Sequence, residues 1–251
     1  MNRLDFHKAF RSVGPAVLPV IHVLDDRQAE RNAALAIECG AHGIFLINHD
    51  FAVEPFLPII RHLRSSYPSL WLGVNFLGVP LADAMPTIAD LQRDGVAIDG
   101  YWADDARIDE SQPTDRQPEA SRASAQRSAA HWPGLYFGGT AFKKQRAVAQ
   151  ADYPRAAAIA SQWMDVVTTS GTATGNAAEL DKIAVFREVC GDTALAVASG
   201  ITPENAGRYA PMVDAFLVAT GINRSDDFYN IDAEKLRALV QICREYGATH
   251  G

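Results

Sequence analysis

Two glycine turns decide the reading of this chain: ASGITPEN (Ala198–Asn205) and ATG (Ala219–Gly221). Each follows directly on an apolar, β-like run. In the first, a helix start follows at once, with Thr202 as N-cap and Pro203 in the opening turn. Glycine lets backbone N–H groups approach a ligand, and a helix N-terminus favours an anion. A chain that twice sets such a turn after a strand has the means to hold a negatively charged group.

Working outward, eight short runs rich in β-branched, aromatic and aliphatic residues can be marked. They are LPVIHVLD (Leu18–Asp25), HGIFLINHD (His42–Asp50), LWLGVNFLG (Leu70–Gly78), IDGYWADD (Ile98–Asp105), GLYFGGT (Gly134–Thr140), DVVTTSG (Asp165–Gly171), TALAVASG (Thr193–Gly200) and DAFLVATG (Asp214–Gly221). Their starts lie mostly about 24–37 residues apart, the length of a strand–helix unit. Helical patterns fill the gaps at Arg27–Cys39, Glu54–Ser66, Ala82–Asp94, Ala151–Trp163, Asn176–Cys190 and Ala233–Tyr246, with a short one at Thr202–Tyr209. The polar stretch Asp109–His131 reads as a long fourth loop leading into a surface helix, with a disordered linker as the competing view. Eight units ending in paired glycine turns predict an α/β fold, a (β/α)8 TIM barrel, as one domain over residues 1–251. The opening MNRLDFHKAF predicts a short N-terminal capping helix. An open, doubly wound sheet is the alternative and would also place ligands at strand carboxyl ends.

Composition narrows the partners. A net charge of −7 and a pI near 5.5 argue against nucleic acid, which needs a basic footprint. No apolar run reaches membrane-spanning length and no signal peptide opens the chain, so a cytoplasmic location is expected. Cys39, Cys190 and Cys243 lack metal-site spacing and read as packed, reduced thiols.

In a barrel of this kind the ligand face is built from residues at the C-terminal ends of the strands. Those positions hold His22 and Asp25; Asn48, His49 and Asp50; Asn75; and Trp102, Asp104 and Asp105. Lys143 and Lys144 follow the fifth strand, and Thr168, Ser170, Gly171, Thr172 and Thr174 belong to the sixth strand and its SGTATG loop. Ser199, Gly200, Thr220 and Gly221 are the candidate phosphate contacts, against plain loop glycines.

Asp50 and Asp104 are the candidate acid/base carboxylates, against helix caps or solvated charges. Since neighbouring residues on a strand point to opposite faces, only one of Asp104 and Asp105 can face inward. The same parity sets His22 opposite Ile21 and Val23, either in the barrel mouth or as a hydrogen-bonded core histidine. Lys143 could form a Schiff base or neutralise a phosphate, or it belongs to a solvated KKQR loop. Trp102 is a stacking candidate or a packed aromatic. No HxH or HExxH spacing supports a metal site, and no P-loop, dinucleotide fingerprint or GxSxG elbow occurs, so no cofactor is named.

The ordered set VIHVLD, GAHGIFLINHD…EPF, LGVNFLG, TTSGTATG, ASGITPEN and VATG resembles the BtpA family, from about Leu18 to the last helix. That resemblance implies a ribulose-phosphate-binding type of barrel, first associated with photosystem I assembly. It implies His22, Asn48, Asn75 and the SGTATG loop as ligand-face positions, and Ser199–Gly200 and Thr220–Gly221 as the phosphate grip. The chain departs from the family pattern at Ile47, at Gly78-Val79-Pro80 and at Trp102-Ala103-Asp104-Asp105.

Two functions follow as expectations. One is an enzyme for a small phosphorylated sugar or phosphoribosyl-type ligand, of isomerase, lyase, aldolase or transferase chemistry, with Asp50 or Asp104 moving a proton in concert with His22 or Lys143. The other is a non-catalytic assembly or regulatory factor that binds a metabolite or a protein partner. Homo-oligomerisation is expected on general grounds alone.

Overall fold

The structure is a computed structural model and describes residues 1–143 and 146–250. Lys144 and Gln145 of the KKQR run lie outside the described residues. Eight parallel strands close into a barrel in sequence order: β1 (Ala16–His22), β2 (Ile44–Ile47), β3 (Leu72–Asn75), β4 (Gly100–Ala103), β5 (Leu135–Gly139), β6 (Val166–Ser170), β7 (Ala194–Ala198) and β8 (Ala215–Val218). The ring is sealed by β8 against β1, with Ala16 opposite Ala215 and Pro19 opposite Val218. Each of the eight runs marked in the sequence coincides with one strand, β1 beginning two residues ahead of its run, so the barrel replaces the open-sheet alternative.

Strand alternation divides the apolar residues into two cores. Val17, Ile21, Leu46, Val74, Tyr101 and Val167 face outward under the helices. Leu18, Val20, Phe45, Trp102, Phe137 and Val166 point into the barrel. The inner layer mixes aromatics with glycines, because large rings need the space a missing side chain leaves. A Cβ on Gly73 would lie 2.3 Å from the Phe45 ring.

The outer helices are α2 (Asp26–Glu38), α3 (Val53–Ser66), α4 (Leu81–Arg93), α5 (Pro118–Ala129), α6 (Tyr153–Trp163), α7 (Leu180–Cys190), α8 (Pro203–Tyr209) and α9 (Ala233–His250), preceded by α1 (Arg3–Phe10). In α1, Asn2 caps the start by accepting from Asp5 N–H. Its Phe6 and Phe10 plug the N-terminal end of the barrel against Trp71 and Phe137. Behind this plug the fully buried Asp214 accepts from Arg3 Nε at 2.8 Å, Arg187 Nη1 at 2.9 Å and Leu195 N–H at 2.9 Å, with His7 Nε2 at 3.1 Å. Burial alone would raise the carboxyl pKa, but the bonds from His7, Arg3 and Leu195 outweigh it and hold the group below its ordinary range.

One local expectation needs correction. The helix expected from Asn176 starts at Leu180, because Asn176 and Ala177 pack their backbone against Gly171 and Gly200. The long polar segment after β4 is, as expected, a loop leading into a helix, and not the alternative linker: the Gln117 side chain accepts from Asp109 N–H and donates to Asp109 C=O and Pro113 C=O before α5 begins.

Candidate functional site

The C-terminal ends of the strands surround an open mouth. His22, Trp102, Asp104 and Lys143 line it from β1, β4 and the loop after β5. Thr174, Gly175, Ser199 and Thr220 line it from the loops after β6, β7 and β8. The expected glycine turns therefore open on the same space as a carboxylate, an ammonium and an imidazole.

Inward parity continues from Leu18 and Val20 to His22, which is buried. Burial, followed by the neighbouring His49 and Lys143, lowers its pKa to about 4, so the ring is neutral near pH 7. It stacks on the Phe228 ring at 3.9 Å and meets the edge of His49. A neutral imidazole of this kind offers hydrogen bonds more readily than it carries protons.

Asn75 ends β3 and donates from Nδ2 to Asp104 Oδ1 at 3.2 Å. That bond joins the third and fourth strand ends and aims the carboxylate at the mouth. Parity separates the acidic pair as expected: Asp104 lines the mouth, while Asp105 turns away and accepts from Arg107 N–H at 2.7 Å. Lys143 is positioned through its backbone, whose N–H donates to Ser170 Oγ at 2.8 Å, and its Nζ lies 5.7 Å above the Phe142 ring.

Ser170, at the end of β6, is fully buried and spends its hydroxyl on Lys143 N–H and Gly171 C=O. Gly171 allows close passage of the loop, since a Cβ there would lie 2.2 Å from Asn176 O. Thr172 faces an adjoining side pocket with Tyr153 and Lys182, whereas Thr174 reaches the mouth. Ser199 adopts φ +85° and its Oγ donates to Asn176 O at 3.2 Å; Gly200 follows at φ +68°. Gly221 packs its Cα on Ile201 O, within a short 3-10 turn at Thr220–Ile222. Asn205 ties the seventh turn to α8, accepting from Thr202 N–H and donating to Gly200 C=O.

The structure sets other candidates apart from the mouth. Asn48 uses both ends of its amide on the scaffold, donating to Phe51 C=O and accepting from Leu77 N–H. Asp50 is at the rim, where Tyr229 Oη donates to it at 2.8 Å; that bond and the neighbouring His49 hold its carboxyl below the ordinary range. Asp25 caps α2 through Gln28 N–H. Among the described residues no group of three or more His, Cys, Asp and Glu side chains could hold a metal ion. The three cysteines are buried and free. No helix among the described residues is long and apolar enough to cross a membrane.

Sequence reasoning missed Phe228, Tyr229 and Lys182. Phe228 roofs His22 from the loop after β8, and Tyr229 spans from that loop to Asp50. An adjacent aromatic pair in a polar loop beyond the last strand was their one signal. Lys182 is buried on α7 and donates to Ala141 C=O and Ser170 C=O, clamping the fifth and sixth loops together. Burial lowers its pKa to about 8.

Residues 143–245 match the BtpA family. The BtpA match spans β6 to β8 with the SGTATG, ASGITPEN and VATG turns, while VIHVLD and LGVNFLG lie outside it. An uncharacterized protein of Thermococcus kodakarensis is 33% identical over 82 residues, 32% of this chain and 31% of that protein. The aligned stretch thus spans about a third of that relative's length. Among solved structures, tryptophan synthase subunit alpha from Legionella pneumophila superposes with a TM-score of 0.63 at 15% identity, covering 98% of this chain and 99% of its own. Phosphoribosyl anthranilate isomerase from Thermus thermophilus gives 0.59 at 14% identity, with 92% and 99% covered. Thiamine phosphate pyrophosphorylase from Pyrococcus furiosus gives 0.62 at 14%, with 94% and 98% covered. At such identities the likeness is one of fold, and it agrees with the TIM barrel described above.

Proposed function

We propose that this chain is an enzyme acting on a small phosphorylated sugar or phosphoribosyl-type ligand at the barrel mouth. In this reading the phosphate meets the turns at Ser199–Gly200 and Thr220–Gly221, with Thr174 and Gly175 closing over it. Asp104, oriented by Asn75, moves a proton with Lys143 as its charged counterpart. His22, neutral at working pH, serves as a hydrogen-bonding group. Asp50 contributes from the rim through Tyr229. One observation carries the reading: Ser199 and Thr220 open on the same mouth as Asp104 and Lys143. Names such as phosphoribosyl anthranilate isomerase and thiamine phosphate pyrophosphorylase among the fold neighbours are in keeping with it.

Screening phosphorylated metabolites by thermal shift tests the reading. A ligand at a hundredfold excess over its Kd stabilises the native state by about 2.7 kcal/mol. For a chain of this size that raises Tm by roughly 5–11 °C. Asp104→Asn is expected to keep the shift and lose turnover. A library in which no phosphorylated compound raises Tm refutes the proposal.

A second reading, a non-catalytic factor that docks a partner, draws on an apolar groove beside α3. There Leu24, Phe51, Pro55, Pro58 and Ile59 come together outside the mouth. The charged mouth favours the enzyme, because a docking role would not need an aligned carboxylate.

A further inference from the structure

Four side chains directed into the barrel each leave a polar atom without a hydrogen-bond partner among the described residues. They are His22 Nδ1, Asn75 Oδ1, Trp102 Nε1 and Thr168 Oγ1. Their exposures are 8%, 1%, 4% and 0%, so water does not reach them freely. Each has inward parity, continuing Val20, Gly73, Gly100 and Val166 on β1, β3, β4 and β6. The register sets three of them on neighbouring ladders, His22 pairing with Ile47, Ile47 with Asn75, and Trp102 lying one step beyond the Val74–Tyr101 pairing, while Thr168 joins from β6 opposite Gly139 and Ala196. A buried polar group left unpaired costs about 1–3 kcal/mol, and native interiors hold few of them. Four within one barrel mark a surface shaped for something that completes them.

Their chemistry is specific. Asn75 commits Nδ2 to Asp104, which leaves its carbonyl oxygen as an acceptor. His22 leaves Nδ1 without a partner, and in the tautomer protonated at Nε2 that atom is a second acceptor. The Trp102 indole can only donate, and the Thr168 hydroxyl does either. A carboxylate or phosphate, which only accepts, would face the lone pairs of Asn75 and His22. A hydrocarbon would satisfy none of the four. Hydroxyl groups donate and accept at once, and they match all of them.

We propose that the inner floor of the mouth binds the hydroxyl-bearing carbon chain of a polyol or sugar, with Trp102 and Thr168 as donors and Asn75 and His22 as acceptors. The orientation, hydroxyls inward and phosphate outward at the turns, rests on the reading in the preceding section. The Phe228 ring over His22 supplies the apolar wall against which the C–H face of such a chain packs.

Calorimetric titration with ribose phosphate, propyl phosphate and free ribose tests the floor and the grip separately. Ribose phosphate is expected to bind at least about tenfold more tightly than propyl phosphate. Thr168→Val, which keeps shape and removes the hydroxyl, and Trp102→Phe, which removes the indole N–H together with one ring, are each expected to weaken ribose phosphate about three- to tenfold. Both are expected to leave propyl phosphate unchanged. If Trp102→Phe does not fold, the isosteric Thr168→Val carries the comparison. Equal affinities for ribose phosphate and propyl phosphate overturn the polyol floor and leave the phosphate grip standing. Free ribose binding as tightly as ribose phosphate overturns the grip and sustains the floor. Unchanged ribose phosphate affinity in both variants overturns the floor, and no binding of any probe overturns both.

Discussion

Replacing Gly200 by alanine tests whether the seventh turn is a glycine for ligand access alone or also for the way the loops pack. The residue sits at φ +68°, where an L side chain costs roughly 1–2 kcal/mol. A Cβ built there would lie 2.1 Å from Ala177 N and 2.3 Å from Asn176 C, both backbone atoms that cannot rotate aside. To restore van der Waals contact the sixth loop must retreat by more than about 1 Å. That retreat breaks the 3.2 Å bond from Ser199 Oγ to Asn176 O, worth about 1 kcal/mol. The sum is about 2–3 kcal/mol, a fall in Tm of roughly 4–12 °C for a chain of this size. Scanning calorimetry of the purified variant reads it directly. Gly207→Ala is the control, because nothing lies within 4 Å of a Cβ there. On helix α8 that change is expected to stabilise by about 0.5–1 kcal/mol. An aspartate at position 200 would add charge to the same overlap and could not separate electrostatics from packing. If Gly200→Ala melts within about 2 °C of the parent, the packing argument is refuted.

Two further outcomes follow from buried charge. Asp214→Asn leaves Arg187, the least exposed of its cationic partners, without a counter-charge inside the N-terminal plug. A loss of about 3–5 kcal/mol in urea unfolding is expected, and a loss below about 1 kcal/mol would show that the network carries little stability. The native carboxyl is held below its usual range, so the stability it contributes is present above the unfolded pKa and lost as pH falls through the lower folded one. His22, which is buried, and His42, which is half-buried, add an acid limit at higher pH. Burial, then nearby Arg244 and His7, lowers the pKa of His42 to about 4; burial, then His49 and Lys143, does the same for His22. The unfolded chain protonates both near pH 6.5 while the native chain stays neutral, so stability falls as pH drops from about 6.5 toward 4. Each contributes at most about 3 kcal/mol to that fall. Urea titrations between neutral pH and pH 5 are expected to flatten in His42→Gln, and an unchanged slope would contradict the assignment.

How much of the site was legible depended on the range of the interaction involved. Strand parity is local, and it showed that only one of Asp104 and Asp105 could face inward; the closed barrel decided that this is Asp104, and that His22 lines the mouth. The glycine turns were legible for the same reason, since a positive φ or a close approach leaves its mark on one residue. The start of α7 was misread because Asn176–Glu179 has helical composition, but its backbone is held by Gly171 and Gly200 from other turns. Nothing beside Asn48 in the chain reveals that Leu77 N–H takes its carbonyl. Phe228, arriving from beyond the last strand to cover His22, is likewise invisible until the barrel closes.

By itself, then, the amino-acid order determined the succession of strands and helices, the alternation of faces along each strand and the positions of the glycine turns. These properties arise from backbone torsion and side-chain alternation within a few neighbouring residues. Tertiary structure alone decided which polar atoms meet, which are already spent on the scaffold and which remain unpaired at the mouth. Those outcomes depend on contacts between residues as far apart as Asp50 and Tyr229, whose proximity exists only once β8 has closed on β1.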